Sequence, residues 1–538
     1  MGSHPNALYG AVYSDLSVFG VDSVFEYTPS PDTSYKRFAS SYLLHSVIRK
    51  WIPRDTREAD ASALSSFTSA NSRCREWQFL PLWEVDLVLL GEIRRELDNF
   101  FHPGGEQLVG SLFELLGSGR PGPGVNVGSE GTSLYTKYFA STLAVTSEYL
   151  YQKYREYCEW IPFLSDAECQ RYERLGSPAI VSGSRCSFVP KTAAASRMIC
   201  VEPALNMFYQ LGLASILEGR LKSYFSIDLK LQPDINRRLA CEGSRTGRYS
   251  TIDLSSASDS ISLRFCELVL PKWFFELLLL IRSRTTEING KSVPLFMIST
   301  MGNGFTFPLQ TILFAAILKA CYTVFGRGTE LPFSVFGDDL VVDSNLFRRV
   351  VSTLTLFGFS TNPKKTFSEG RFRESCGADW FDGQPVRPVF IRKLDNPHDF
   401  VVAINQLNEW SAYTGIPLRN TIHYLMSHLS ARFRNLVPFD SSYDAGIRVP
   451  SSLLATKKFD RNQSFLFYSW ERKPSSIRIL EGSIHAPGRL GKRLIFNPFG
   501  LYVSFLYGEL GNLSIMVRHD RKIFRSRLRC SPYWDHIP

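Results

Sequence analysis

Residues Pro332 to Val342 read Pro-Phe-Ser-Val-Phe-Gly-Asp-Asp-Leu-Val-Val, two apolar runs joined through a glycine and a pair of adjacent acids. Runs of this kind on either side of a Gly-Asp step predict a hairpin with its tight turn at Gly337 and Asp338. Such a hairpin must bury its strands, so Asp338 and Asp339 are held at a tip against a hydrophobic layer. Neighbouring carboxylates repel and are partly desolvated there, a cost usually tolerated when a divalent cation neutralises them. Asp338 and Asp339 are therefore candidate metal ligands. Standing alone, a Gly-Asp-Asp turn is more often an ordinary solvated turn, so other parts of the chain must decide.

Ser250 to Ser260, Ser-Thr-Ile-Asp-Leu-Ser-Ser-Ala-Ser-Asp-Ser, begins as a strand ending near Leu254, and the small polar residues after it resemble a helix start. If this strand lies beside the hairpin, Asp253 supplies the third anionic arm of a magnesium cage. Asp259, about one and a half helical turns further on, faces an incoming sugar and accepts a hydrogen bond from a ribose 2′-hydroxyl, or else simply caps a helix. Three acids so placed suit nucleotidyl transfer. In that reaction two metal ions about 4 Å apart activate an attacking 3′-hydroxyl and offset charge on the leaving pyrophosphate.

Ser299 to Pro308 is a glycine-bearing loop leading into a helix with Pro308 in its first turn and one apolar face from Leu309 to Ala320. Ser299, Asn303, Thr306 and Gln310 offer hydrogen bonds to a sugar or a template backbone, and Gly302 and Gly304 let the backbone approach a ligand. Lys191 and Arg197 put two cations on an extended segment and suit a clamp on a triphosphate. Lys365, in Asn362-Pro-Lys-Lys, follows a predicted helix and is placed as a general acid for departing pyrophosphate. Asp343 is expected to cap a helix starting near Leu346 rather than to bind metal.

Composition enters as a check on partners. The formal charge is +10 over 538 residues, which favours a polyanion or an anionic membrane surface, although a solvated basic face gives the same number. The ten cysteines form no Cys-x-x-Cys pair and no zinc spacing, which points to a reducing compartment. The most apolar stretch, Leu268–Ile281, is broken by Pro271, Lys272 and Glu276 and is too short to span a bilayer. No myristoylation signal follows Gly2, so the chain is expected to stay soluble, in the cytoplasm, with no membrane partner.

Along the chain, Trp83, Leu87, Leu90, Ile93 and Leu97 recur at helical spacing and predict an amphipathic helix that packs. The Gly- and Pro-rich segment from Gly117 to Gly131 reads as a flexible connector. Past Arg472, aromatics including Phe496, Phe499, Tyr502, Phe505 and Tyr507 alternate with Arg489, Lys492, Arg493 and the run Arg518, Arg521, Lys522, Arg525, Arg527, Arg529. That mixture suits a face that tracks phosphates and stacks bases, and equally suits core aromatics under a solvated basic exterior.

Thr251 to Ser262, Ser299 to Phe307, Gly337 to Asp339 and Phe372-Arg-Glu-Ser-Cys-Gly377, in this order and spacing, resemble the replicase subunit of the positive-strand RNA bacteriophages of the levivirus type. The resemblance covers roughly residues 188 to 393. It implies an RNA-directed RNA polymerase of α+β class, a right hand of fingers, palm and thumb with an antiparallel palm sheet flanked by helices. The expected division is residues 1–245 for the N-terminal region and fingers, 246–400 for the palm and 401–538 for the thumb and C-terminal region. The metal-ligand role passes to Asp253, Asp338 and Asp339, with two Mg2+ ions and Mn2+ as a possible substitute. Implied partners are an RNA template and product, ribonucleoside triphosphates, host elongation factors Tu and Ts, and a small-subunit ribosomal protein, in the cytoplasm of a bacterial host.

Two features depart from that family. Phe336 stands where Tyr is usual, keeping the ring and losing a hydroxyl. Ala194 and Ser196 stand where a further Lys and an Asp are usual, which weakens the expected triphosphate clamp or moves it elsewhere. A reverse transcriptase shares the palm acids but is expected to carry a bulky residue near Asp259. A non-enzymatic RNA-binding protein explains the charge and the aromatics but gives no reason for three acids at the ends of apolar strands.

Overall fold

The strands that position the candidate site are, in chain order, β1 (Ser184–Thr192), β2 (Ala195–Val201), β3 (Tyr249–Asp253), β4 (Thr285–Ile288), β5 (Lys291–Pro294), β6 (Ser334–Phe336), β7 (Asp339–Asp343), β8 (Phe372–Ser375), β9 (Ala378–Phe381) and β10 (Gln384–Pro385). They come from a computed structural model that describes residues 5–53, 55–326, 332–454, 464–472, 476–480, 483–485, 495–508, 510–511, 514–516 and 524–531. The helices used below are α1 (Glu84–Phe101), α2 (Ala204–Tyr224), α3 (Gln232–Thr246), α4 (Thr306–Phe325), α5 (Phe347–Leu356) and α6 (Pro397–Thr414).

The central sheet has β7 between β3 and β6, both antiparallel to it. Side chains alternate across a strand, so Leu340 and Val342 point to one face of β7 and Val341 to the other. Leu340 and Val342 join the large core with Ile252, Val335 and α4, whereas Val341 packs with Leu239 and Tyr249 under α3. Both faces are covered, which explains why β7 reads as a continuous apolar run. A second sheet, in the order β2-β1-β4-β5, and a third, β8-β9-β10, flank this layer. The class is α+β with antiparallel sheets and helices against them, as expected; β1 and β4 form the parallel exception within these sheets.

Helix α4 differs from its expected single apolar face. Leu309, Ile312, Leu313, Phe314, Ala315, Ala316, Ile317 and Leu318 are all fully buried, because α1, α2, α5 and β6 surround the helix. Each of the larger of these side chains contributes about 2 kcal/mol relative to exposure. By length and composition α4 could cross a membrane, and it is the core helix of this fold. The stretch Leu268–Ile281 is split by Pro271 into the ends of two helices, Leu263–Val269 and Lys272–Ile281.

Three other readings change. In α1 the buried stripe is Leu89, Ile93, Leu97, Phe100 and Phe101; Trp83 and Leu87 are exposed, since contact with α4 selects a face rotated from the one expected. The segment from Gly117 to Gly131 is tied down rather than loose. Lys137 Nζ donates to the carbonyls of Pro121 and Gly122, and Val127 N donates to Glu202 O. Asp343 ends β7 and accepts from Asn345 N at 2.9 Å; α5 begins at Phe347 without a side-chain cap.

A second core unites distant parts of the chain. Leu8, Val12, Leu16, Phe38 and Leu43 pack with Phe372, Phe381, Ile404, Leu407 and Trp410, so the first fifty residues lie against β8, β9 and α6. Of the C-terminal aromatics, Phe496 packs on the main core, whereas Phe499, Tyr502, Phe505 and Tyr507 are exposed around the helix Pro498–Leu506. Arg525, Arg527 and Arg529 lie on a strand that pairs with Phe465–Arg472, where Glu471 forms ion pairs with Arg527 and Arg529. Arg489, Lys492, Arg493, Arg518, Arg521 and Lys522 lie outside the described residues.

Candidate active site

The turn between β6 and β7 is a two-residue loop, with Phe336 paired to Asp339 across it. Gly337 has φ 61°, and a Cβ there would lie 2.4 Å from a ring carbon of Phe307, so glycine is required on both counts. Gly337 N donates to Thr311 Oγ1 of α4 at 3.1 Å, and the Phe336 ring meets Phe307 edge to face at 4.7 Å. The hydroxyl that Phe336 lacks is not needed for this packing. Register then decides the site: in the β3–β7 ladder Asp253 stands directly opposite Asp339, beside Asp338 at the turn. Fully buried Asn236 of α3 fixes the backbone below, donating to Asp339 O at 3.1 Å and accepting from Ser334 Oγ at 2.5 Å.

These acids line a cleft of about 850 Å³ together with Lys191, Arg197, Asp259, Asn303, Gln310 and Lys365. Lys191 and Arg197 occupy the β1–β2 hairpin and face the aspartates. Burial, then Arg197 and Lys365, lower the pKa of Lys191. Burial raises Asp338, and Asp253 adds to that, while Lys365 and Arg197 oppose it. Asp339 is pushed up to about 6 by burial, Asp338 and Asp253. At Asp339 the repulsion of its two carboxylate neighbours outweighs the attraction of Lys365, although the lining as a whole balances five acids with five cations.

Asp253 is held from two sides. Asn362 Nδ2 donates to Oδ2 at 2.8 Å, and Lys365 Nζ lies 3.3 Å from Oδ1. Burial works against the charge on Lys365, but Glu374 and Asp253 outweigh it and raise its pKa. Among the described residues no group of three or more acidic, histidine or cysteine side chains stands close enough to hold a metal as placed. The aspartates share the cleft without closing on one point, and Lys365 is the cation beside Asp253.

Asp259 lies in a single 3-10 turn, Ser258–Ser260, reached through Ser256 at φ 51°, and the helix begins only at Leu263, capped by Ser262. The expected helix start after Leu254 is therefore replaced by a turn that carries Asp259 into the cleft. Burial pushes its carboxyl up to about 6, against the N–H of Met301 and the hydroxyl of Ser258. A raised folded pKa favours the fold when the group is protonated: the contribution is complete below about pH 4 and is lost as pH rises through about 6. Asp259→Asn is accordingly expected to be more stable than the parent at pH 8, by up to about 3 kcal/mol, and equal to it at pH 4. Urea midpoints at the two pH values measure this, and a variant weaker at pH 8 would contradict it.

The loop before α4 is built from the inside. Asn303 Oδ1 accepts from Thr300 N and Oγ1 at 2.8 and 2.9 Å, so its carbonyl serves the loop and its amide is directed to Gln210 at 3.4 Å. Gln310 lines the cleft, and its Oε1 is buried without a partner. Ser299 does not line it. Its hydroxyl is buried beneath the loop with no partner, because the turn that presents Asn303 begins after it.

Several lining residues escaped sequence reasoning. Lys50 arrives from the N-terminal segment and Arg387 from beyond β10, neither with a local signal. Glu374 was legible only as part of Phe372 to Gly377, a strand in which Arg373 and Ser375 point inward to burial. Burial, then Asp379, push its carboxyl up to about 7, with Lys365 opposing.

The model of the family described as RNA replicase, beta-chain, matches residues 132–467, well over half of the chain. The chain belongs to that family. It is 38% identical over 286 residues to the RNA-directed RNA polymerase subunit beta of Escherichia virus Qbeta, covering 52% of this chain and 47% of that one. It is 40% identical over 247 residues to the RNA-directed RNA polymerase beta chain of Escherichia phage MS2, covering 46% and 45%. The chain thus spans about half the length of the curated relatives it matches. Among solved structures, the RNA-dependent RNA polymerase of a human picorbirnavirus aligns with a TM-score of 0.33 at 11% identity, over 46% of this chain and 56% of that one.

Proposed function

We propose that this chain is an RNA-directed RNA polymerase that replicates a viral positive-strand RNA genome. The observation that carries the reading is the register that sets Asp253 opposite Asp339 and next to Asp338, in a cleft faced by Lys191 and Arg197. Hard carboxylate oxygens crowded at one end of a sheet are the donors magnesium prefers, with manganese as a substitute. Asp253, Asp338 and Asp339 would hold two such ions, which when bound lower the pKa of the attacking 3′-hydroxyl and offset charge on pyrophosphate.

The remaining steps belong to the chain. Lys191 and Arg197 draw the triphosphate into the cleft and orient it. Asp259 accepts a hydrogen bond from the ribose 2′-hydroxyl, and Asn303 and Gln310 bound the sugar and the template. Lys365, kept protonated by its carboxylate neighbours, donates a proton to the departing pyrophosphate. Residues 1–245 are assigned to the N-terminal region and fingers, 246–400 to the palm and 401–538 to the thumb and C-terminal region, with the sheet β2-β1-β4-β5 joining strands of the first two. The proposed partners are template and product RNA, ribonucleoside triphosphates, and in the host cytoplasm the elongation factors Tu and Ts with a small-subunit ribosomal protein.

Primer extension by the purified chain, with and without those host factors, tests the reading. Magnesium-dependent incorporation of ribonucleotides is expected, and Asp259→Ala should lower the preference over deoxyribonucleotides by at least about tenfold. A parent enzyme that preferred deoxyribonucleotides would make it a reverse transcriptase, and one that incorporated neither would remove the enzymatic reading.

A further inference from the structure

The ammonium of Lys365 stands between two carboxylates from different sheets. Its Nζ is 3.3 Å from Asp253 Oδ1, at the end of β3, and 3.8 Å from Glu374 Oε1, in β8. Glu374 is largely withdrawn from solvent, and the acid paired with it across the β8–β9 ladder, Asp379, is already engaged by Arg387 at 3.1 Å and the Tyr42 hydroxyl at 2.9 Å. Among the described residues Lys365 is the only cation that Glu374 pairs with.

A metal ion and an ammonium cannot share one carboxylate oxygen at close range, because like charges repel strongly in a partly desolvated cleft. Asn362 already occupies Oδ2 of Asp253 at 2.8 Å, so an ion that takes Oδ1 displaces Lys365. Without another anion at hand, the ammonium would have to stay and compete or stand unpaired at the edge of a partly desolvated cleft. We propose that Glu374 is a positioning residue that receives Lys365 when a divalent cation takes Asp253, and so sets the affinity of the site for that cation. The same contact keeps the ammonium at the edge of the cleft, where the leaving phosphate passes. This inference rests on the reading of Asp253 as a metal ligand.

The test is Mn2+ binding to the full chain without nucleotide, followed by the loss of the free-ion electron paramagnetic resonance signal. Glu374→Gln is expected to weaken binding about tenfold, and Glu374→Asp, which keeps the charge, to restore most of it. Lys365→Met should tighten binding several-fold, since the competing ammonium is gone. In the Lys365→Met background Glu374→Gln should then change little, because the effect runs through the lysine. Equal weakening in both backgrounds would make Glu374 a direct ligand or a general source of field, and no weakening in either would leave it merely structural; each result overturns the proposal. Should Glu374→Gln fail to fold, unaltered Mn2+ affinity in Lys365→Met overturns it as well. A parent chain that bound no Mn2+ would sink the metal reading itself, and this assignment with it; a parent that binds with Glu374→Gln unchanged sinks this assignment alone.

Discussion

Asp338→Asn is expected to reduce ribonucleotide incorporation at least about a thousandfold while leaving RNA affinity within about twofold. Asparagine matches the shape of the side chain, so the turn held by Thr311 and the glycine before it is preserved. What changes is one negative charge and one anionic oxygen at the tip of the hairpin. Asp338 is also the nearest charge raising Asp339, so the variant should bring the carboxyl of Asp339 down from about 6. The fold therefore gains from the same change that removes activity, and thermal unfolding of the variant should occur no lower than that of the parent at pH 8. Single-nucleotide incorporation and filter binding separate the two effects. Appreciable synthesis by the variant would mean that the metal site has been misplaced.

Gly302→Ala is expected to cost about 2–4 kcal/mol of stability and to lose most activity through the shape of the cleft. Gly302 has φ 142°, a conformation that side chains rarely adopt, and a Cβ there would lie 2.1 Å from the carbonyl oxygen of Cys200. That oxygen belongs to backbone in β2, and the next contact is also backbone, since Cys200 N donates to Met301 O at 3.0 Å. Neither partner can swing aside as a long side chain would. The loop would have to lift away from β2, taking Asn303 and the N–H of Met301 that meets Asp259 with it. Chemical denaturation measures the first effect, and a variant as stable as the parent would show that the loop has room this packing denies it.

The catalytic reading was legible where chemistry and periodicity coincide. Leu340, Val341 and Val342 are apolar without alternation, which signals a strand covered on both faces, and the acids flanking them could be placed on its end. The convergence of Asp253 on the hairpin required a register, and no local pattern contains one; it is set by the matched lengths of β3 and β7 and by the layers above and below. Asp259 reaches the cleft from a different element than expected, because Ser256 takes a left-handed conformation that serine seldom shows. Ser299 illustrates the opposite error: a hydroxyl in a polar loop looks available, but burial is a property of the packed turn. Lys50 and Asn236 were silent for a common reason. Each acts through contacts with residues more than a hundred positions away, or across sheets, that leave no trace in its neighbours.

The union of the first fifty residues with the segment from Phe367 to Ile447 has a consequence for how the chain is made. Tyr35 bonds to Pro385 across 350 positions, and although Phe38 packs locally on Phe25 and Tyr42, Leu8, Val12 and Phe38 share their core with residues translated much later. At ribosomal speed that interval is on the order of tens of seconds. During this wait the apolar surface that finally meets β8, β9 and α6 lacks its long-range cover. The core around α4 draws most of its residues from positions up to Phe359, whereas the clasp over β8 and β9 needs both the N-terminal helices and residues up to Ile447, so a pause in translation between them leaves that clasp open.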